Sequence, residues 1–177
     1  FGWFKKELKS VADVKGMKYR TVGLATNVLQ GMGMTVLQLP GGEIQPAMKT
    51  GLIDAAEFNN PSSDKNFGMQ DVSKFYSLGS FHQSQEMFEI TFNKKKFDSL
   101  SKQHQSILRI AAEAANSDNY WYALKRYSDD LNKLVKESGV KPFATPKDIL
   151  AEQMKSWDKV VADFSAKDPL FKRIVES

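Results

Sequence analysis

The sequence predicts an α/β protein in which a lobe built on a parallel sheet is followed by a long C-terminal helical region. Two observations predict this fold. Short apolar and β-branched segments alternate with helical segments over residues 17–58, which is typical of parallel strands joined by crossover helices. Over residues 101–138, neither Pro nor Gly interrupts a helical pattern. The chain has 177 residues, 41% of them hydrophobic, which is enough to bury a core without a disulfide or a metal.

The first third of the chain contains the alternating elements. In order, they are a strand at 17–23, a helix at 25–31, a strand at 35–39, a helix at 43–50 and a strand at 52–58. Pro46 falls in the first turn of the second helix, where N–H groups have no intrahelical partner, so it is tolerated. Because ligands of parallel sheets bind at the carboxyl ends of the strands, Glu57 and Phe58 are candidate site residues.

The middle of the chain leads into the helical region. Residues 87–92 alternate in polarity and predict a half-buried strand, whereas residues 75–81 fit either a strand or an irregular segment. Ser101 is a typical N-cap for the helix that follows. Unbroken, that helix would be about 55 Å long at 1.5 Å per residue. We therefore expect it to bend near residues 116–119, to bridge two bodies or to pack against another subunit.

Two dipeptides containing Pro predict the starts of later helices. Thr145-Pro146 provides a capping side chain followed by Pro in the first turn. Asp168-Pro169 repeats this pattern and predicts a short final helix.

Composition excludes several classes of site. Cys is absent, which rules out disulfides, zinc–thiolate sites and iron–sulfur clusters. His82 and His104 lie 22 residues apart without an HExxH pattern, so a His-rich zinc site is not expected. The net charge is +4, but the Lys residues are scattered and no nucleic-acid-binding motif occurs, so we expect no nucleic-acid partner.

Arg20 is the first residue whose position suggests chemistry. It lies inside an otherwise strand-like segment, and an Arg in a half-buried strand needs an anionic partner. The planar guanidinium suits a carboxylate held through two hydrogen bonds. Arg20 is therefore a clamp for a ligand carboxylate, the partner of a structural acid, or a residue on a solvated face.

Two further positions carry polar groups beside apolar segments. Glu57 ends a predicted strand, where it could bind a hard cation through oxygen, pair with Arg20, or lie on the surface. His82 and Gln83 begin a polar cluster that continues through Gln85. These side chains either hydrogen-bond a ligand or belong to an exposed loop.

Five segments together carry a family resemblance. They are GWFKKE at 2–7, VKGMKYR at 14–20, EIQPAMKTG at 43–51, IDAAEF at 53–58 and NKKKFDSL at 93–100. In this order they resemble the solute-binding proteins of tripartite ATP-independent periplasmic (TRAP) transporters. The subgroup that looks most similar binds 2-oxo acids and related small carboxylates.

The resemblance implies a periplasmic-binding-protein-like fold and a set of site residues. It implies that Arg20 holds the ligand carboxylate, and that Glu57 and the backbone carbonyl of Phe58 bind a sodium or calcium ion that bridges to the ligand. Phe58 departs from the Trp or Asn common in the family, which keeps a ring wall but loses a side-chain hydrogen bond. Gln83 best fits the acid or amide that also faces the ligand and cation, and His82 is a second candidate there.

The resemblance also implies a division of the chain. Residues 1–12 correspond to the connection from a first lobe, 13–86 to the second α/β lobe, 87–100 to a crossing strand and turn, and 101–177 to the long helix and C-terminal helices. The chain starts inside the family's GGWF segment, so we expect most of the first lobe, with a Gln that completes the cation site, to be absent.

The predicted function is capture of a small organic acid, a 2-oxo or 2-hydroxy carboxylate, without catalysis. Implied partners are the TRAP membrane subunits, the implied location is the periplasm, and the apolar surface of the long helix predicts a homodimer. Two alternatives stay open from the residues alone. One is an α/β enzyme acting on keto acids, for which no acid–base pair is evident, and the other is a helix-mediated interaction module.

Overall fold

A mixed sheet forms the centre of the molecule. The computed structural model describes residues 1–83 and 88–177, and within these ranges six strands form one sheet in the order β3-β2-β4-β1-β5-β6. The strands are β1 (Gly2–Phe4), β2 (Lys18–Arg20), β3 (Thr35–Leu37), β4 (Ala55–Ala56), β5 (Phe75–Leu78) and β6 (Lys141–Ala144). The α/β fold with a long helical region is thus as predicted, although the three strands predicted in the first third of the chain are all shorter than their sequence patterns.

The sheet departs from the predicted parallel arrangement at β1. The pairs β2–β3, β2–β4 and β5–β6 are parallel, whereas β1 lies between β4 and β5 and is antiparallel to both. Neither β1 nor β6 was predicted from the sequence. Pro142 lies in β6, where it is tolerated because β6 is an edge strand with one hydrogen-bonded neighbour. The predicted division of the chain after residues 12, 86 and 100 stays a prediction. Strand β1, which falls in the predicted connection at 1–12, is part of the sheet.

Helices cover both faces of the sheet. They are α1 (Ala25–Gly31), α2 (Gly41–Thr50), α3 (Pro61–Asn66), α4 (Met69–Val72), α5 (Lys94–Asp98), α6 (Lys102–Ser138), α7 (Lys147–Lys167) and α8 (Pro169–Val175), with a 3₁₀ turn at Val11–Val14. Helix α2 begins two residues earlier than predicted. Pro46 therefore lies in its second turn, where the missing N–H leaves one intrahelical hydrogen bond unmade. In the described part of the chain, no helix is both long and apolar enough to cross a membrane.

Alternation along β1 divides the core into two clusters. Trp3 and Phe4 are both fully buried but point to opposite faces of the sheet. Phe4 packs with Tyr19 and with residues of α1 and α7, whereas Trp3 packs with residues of α2, α4 and the C-terminal end of α6. At the α1–α7 contact, a Cβ on Gly31 would lie 2.3 Å from the hydroxyl of Ser156, so this close approach requires glycine.

Helix α6 is continuous over 37 residues, including positions 116–119 where a bend was one of the expectations. Ser101 caps it as predicted, by accepting a hydrogen bond from the His104 N–H, and Gly139 ends it in the left-handed conformation. Its C-terminal end packs on α3 and α4, and Leu134 is fully buried there. Much of the rest of the helix is exposed.

Two local predictions, one strand and one helix cap, are wrong, although α7 itself starts where the sequence predicts. Residues 88–92 form no strand and are exposed, because no neighbouring strand pairs with them in the described part of the chain; Met87 lies outside the described residues. Thr145 does not cap α7, since Pro146 occupies the N-cap position. The Thr145 hydroxyl instead bonds to Ser77 and to the Gly79 carbonyl, so a tertiary contact replaces the local cap. Asp168 does cap α8, through Leu170 and Phe171 N–H groups.

Candidate functional site

The carboxyl ends of β2 and β4 bring Arg20 and Glu57 together. These strands are parallel neighbours with Arg20 in register with Ala56, so the residue after Ala56 lies beside the guanidinium. Arg20 Nη1 lies 3.0 Å from Glu57 Oε1 and donates a second hydrogen bond of 3.0 Å to the Glu57 carbonyl. Arg20 Nε donates to the Leu39 carbonyl at 2.9 Å. Of the alternatives left open for the two residues, the structure shows a buried ion pair.

Burial determines the electrostatics of this pair. The side chains of Arg20 and Glu57 are only 6% and 10% exposed. Burial raises the pKa of Glu57, and the charge of Arg20 opposes that rise without cancelling it. The positive charge of Arg20 therefore offsets part of the cost of burying an ionised carboxylate at this position.

Asp64 is a second buried carboxylate beside the site, and sequence reasoning did not single it out. Its Oδ2 accepts from Trp3 Nε1 at 2.8 Å and from the Tyr76 hydroxyl at 3.2 Å, while Oδ1 accepts from the Asn59 N–H at 3.1 Å. Burial raises the pKa of Asp64. The available signal was the Asn60-Pro61 helix start, which places an acid four residues after a capping side chain and so inside the first turn.

A cavity of about 380 Å³ opens between these groups and the loop after β5. Four of the predicted site residues line it, namely Glu57, Phe58, His82 and Gln83, together with Asp64. Arg20 is not part of the lining. It lies behind Glu57 and reaches the cavity wall through the ion pair.

Phe58 forms an aromatic part of the cavity wall. Its ring centroid lies 4.4 Å from that of Phe67, and the side chain is half-buried. A Cβ on Gly41 would come within 2.7 Å of the Phe58 ring. Glycine at the first residue of α2 therefore allows the helix to start directly against this ring.

His82 and Gln83 lie in the loop after β5 and differ in exposure. His82 is 7% exposed, and burial lowers its pKa to about 3, so the ring is neutral at physiological pH. Its Nδ1 bonds to the Ser80 hydroxyl. Gln83 is exposed at the cavity edge, and the remainder of the polar cluster, Ser84 and Gln85, lies outside the described residues.

The donor atoms at the site suit a hard cation better than a transition metal. Among the described residues, no group of three or more His, Cys, Asp or Glu side chains could hold a metal ion by itself. The candidate oxygens are the Glu57 carboxylate, the Phe58 carbonyl and the Gln83 amide, all on residues that line the cavity. Oxygen donors of this kind fit sodium or calcium.

Comparison with known proteins places the chain in a family. The profile of the DctP family, described as bacterial extracellular solute-binding protein, family 7, matches residues 1–168. A monocarboxylate 2-oxoacid-binding periplasmic protein from Nostoc sp. is 33% identical over 177 residues, which is 99% of this chain and 48% of that protein.

Two solved structures of TRAP periplasmic solute-binding proteins share the fold. One, from Colwellia psychrerythraea with bound calcium and pyruvate, has a TM-score of 0.90 and 34% identity, covering 99% of this chain and 53% of that one. Another, from Pseudoalteromonas atlantica with bound sodium and pyruvate, has a TM-score of 0.81 and 28% identity, with coverage of 99% and 53%. The chain thus spans about half the length of these relatives.

These matches confirm the resemblance, the fold class and the periplasmic location predicted from the sequence, and they remove the keto-acid enzyme as an alternative, because the family consists of solute-binding proteins. The chain belongs to family 7 of the bacterial extracellular solute-binding proteins, the DctP family.

Proposed function

We propose that this chain supplies the carboxylate-binding part of a TRAP transporter solute-binding protein that captures a 2-oxo or 2-hydroxy acid. The observation that carries the proposal is the buried pair of Arg20 and Glu57 at the wall of a cavity large enough for a small organic acid. The ligands of the Nostoc and Colwellia relatives, a monocarboxylate 2-oxo acid and pyruvate, support the same class of ligand.

Arg20 is the proposed carboxylate partner. Its Nε and Nη1 already bond to protein acceptors, whereas Nη2 has no partner among the described residues. A ligand carboxylate would therefore pair with Nη2, in surroundings where burial strengthens the ion pair relative to water. The contacts to Leu39 and Glu57 hold the plane of the guanidinium fixed before the ligand arrives.

A sodium or calcium ion is the proposed companion of the ligand. Glu57, the Phe58 carbonyl and the Gln83 amide would hold it, and the ion would offset the negative charge that the ligand adds beside Glu57. The Colwellia and Pseudoalteromonas structures, which contain calcium and sodium with pyruvate, support this part of the proposal. The half-buried ring of Phe58 would shield the ion pair from water.

The proposed partners are the membrane subunits of a TRAP transporter, to which the ligand-loaded protein would deliver its acid. No catalytic step is part of the proposal. The remaining alternative, a helix-mediated interaction module, predicts partner binding that does not depend on Arg20.

Calorimetric titration of the purified protein with pyruvate tests the proposal. Arg20→Ala is expected to weaken binding by about 2–5 kcal/mol, since it removes one member of a desolvated charge pair. Arg20→Lys keeps the charge but not the planar fork and is expected to weaken binding as well. Arg109→Lys, on the exposed surface of α6, is the matched control. Unchanged pyruvate affinity in a folded Arg20→Lys protein would refute the carboxylate role.

The cation is tested in the same experiment by varying calcium and sodium in the buffer. Pyruvate affinity should fall when both ions are replaced by a large organic cation, and Glu57→Gln should remove this dependence. Cation-independent pyruvate binding in the unsubstituted protein would contradict the proposed cation site while leaving the Arg20 role intact.

A further inference from the structure

The loop after β5 is fixed by side chains of α7, at some distance along the chain from the Arg20–Glu57 pair. Gln153 is fully buried, and its Oε1 accepts hydrogen bonds from the Phe81 N–H at 2.8 Å and the Ser80 hydroxyl at 3.0 Å. Trp157 Nε1 donates to the Phe81 carbonyl. Helix α7 therefore holds two consecutive residues of this loop, and the next residue, His82, is bonded in turn to Ser80.

These contacts determine which imidazole nitrogen of His82 carries the proton. The Phe81 N–H can only donate, so it identifies the atom facing it as the amide oxygen of Gln153. Because that oxygen can only accept, the single hydroxyl proton of Ser80 must be directed to Gln153. The Ser80 oxygen is then an acceptor towards His82, which places a proton on His82 Nδ1 and leaves a lone pair on Nε2.

The other nitrogen, Nε2, has no hydrogen-bond partner among the described residues. His82 lines the same cavity as Glu57 and Gln83. A buried acceptor without a donor costs free energy. A ligand that supplies the donor removes this cost and therefore binds more tightly.

We propose that His82 is a specificity-determining residue of the ligand site, with Nε2 accepting a hydrogen bond from a hydroxyl group of the bound acid. The inference rests on the proposed function and narrows its ligand class. A 2-hydroxy acid presents a donor hydrogen to Nε2. The keto oxygen of the matching 2-oxo acid has only lone pairs, which repel the lone pair of Nε2. Ser80 and Gln153 act as positioning residues, because they fix the tautomer without contacting the ligand.

Nuclear magnetic resonance of the imidazole nitrogens tests the tautomer without any ligand. The chain has two His residues, and His104→Phe leaves His82 as the only source of signal. At neutral pH we expect a neutral ring with the proton on Nδ1. Ser80→Ala should move the proton towards Nε2, whereas the control Ser99→Ala, which removes an exposed hydroxyl bonded to the Lys96 carbonyl, should change nothing. A ring protonated on Nε2 in the unsubstituted protein would overturn the proposal.

Calorimetry with pyruvate and with both enantiomers of lactate tests the selectivity. These acids share a carbon skeleton and differ at the 2-oxygen. Relative to the unsubstituted protein, His82→Phe should lower the preference for lactate over pyruvate about tenfold, the size expected for loss of one hydrogen bond. Ser80→Ala should shift the preference in the same direction, and His104→Phe should leave it unchanged. An unaltered lactate-to-pyruvate ratio in folded His82→Phe would overturn the proposal.

Arg20→Lys separates this inference from the proposed function. If Arg20 holds the carboxylate, this substitution weakens lactate and pyruvate equally and preserves their ratio. If Arg20→Lys leaves both affinities unchanged while His82→Phe alters the ratio, the carboxylate role fails and the His82 inference holds. Absence of binding of all three acids to the unsubstituted protein would overturn both.

Discussion

Two regions of this chain use the same residue types in opposite environments. In the α/β lobe, Trp3 is fully buried, stacked on Tyr76 at 4.2 Å between ring centroids and hydrogen-bonded to Asp64. On the long helix α6, Trp121 is 70% exposed, and other large apolar side chains of the helix are also uncovered. The lobe therefore has a core of its own, whereas the surface of α6 is typical of one that contacts another part of a protein or a second copy.

The largest difference in stability is expected between Trp→Ala substitutions in the two regions. Trp3→Ala should lower the free energy of unfolding by about 3–5 kcal/mol, because it empties a packed site and leaves Asp64 without one of its donors. Trp121→Ala should change it by less than about 0.5 kcal/mol, as for other exposed positions. Urea unfolding monitored by circular dichroism measures both. Similar losses in the two variants would show that α6 is packed as tightly as the lobe.

A smaller difference is expected between a buried and an exposed ion pair. Glu57→Gln leaves the buried guanidinium of Arg20 without its counter-charge and should cost about 3 kcal/mol of stability. Asp129→Asn removes an exposed partner of Lys125 on α6 and should leave the urea midpoint unchanged. Raising the salt concentration should leave the Glu57→Gln effect largely intact, since buried pairs are weakly screened. A salt-sensitive loss would indicate that water reaches the pair.

The same contrast explains how much of the site could be predicted from the sequence. Arg20 was a candidate because an Arg inside a predicted strand needs an anionic partner, and Glu57 because it stands near the carboxyl end of a predicted strand, where ligands of parallel sheets bind. Asp64 was missed, since its sequence neighbours, Ser63 and Lys65, are polar and nothing local shows that Trp3 and Tyr76 bury it. Burial of that carboxylate comes from chain segments far apart in sequence.

In the fold, too, the elements determined by residues close together in sequence were predicted, and those that depend on long-range contacts were not. Helices α1 and α6 follow local periodicity and end as predicted. Strands β1 and β6 depend on long-range pairing, and their three and four residues carry too short a pattern to recognise. At 88–92 the alternating pattern is present without a partner strand, so pattern alone did not make a strand. At Thr145 a local capping signal was overridden by a hydrogen bond to Ser77.

The pH dependence of stability compares the buried lobe with the exposed helix, because each region contains one histidine. His82 is buried in the lobe with its pKa lowered to about 3, whereas His104 is exposed on α6. Between the unfolded value of about 6.5 and this lower value, the unfolded chain binds a proton that the folded chain does not. Stability is therefore lost as pH falls, by about 2 kcal/mol between pH 7 and 5.

The His82 contribution is isolated by comparing variants, because other buried groups also titrate. Burial raises the pKa values of Glu57 and Asp64. Only the difference in pH slope between the unsubstituted protein and His82→Phe belongs to His82. His104→Phe should reproduce the original slope, and a His82→Phe protein with that same slope would show that the ring is hydrated.

The last prediction concerns the exposed face of α6 and has the smallest effect on the unfolding of a single chain. The predicted homodimer would bury Ile110, Tyr120 and Trp121, which are 64%, 59% and 70% exposed. Trp121→Glu should shift the dimer to monomer in sedimentation velocity at micromolar concentration, because association would desolvate the new carboxylate. The control Met154→Glu changes an exposed apolar residue of α7 instead and should leave association unchanged. A monomeric unsubstituted protein across this concentration range would contradict the dimer and leave the face of α6 for a different partner.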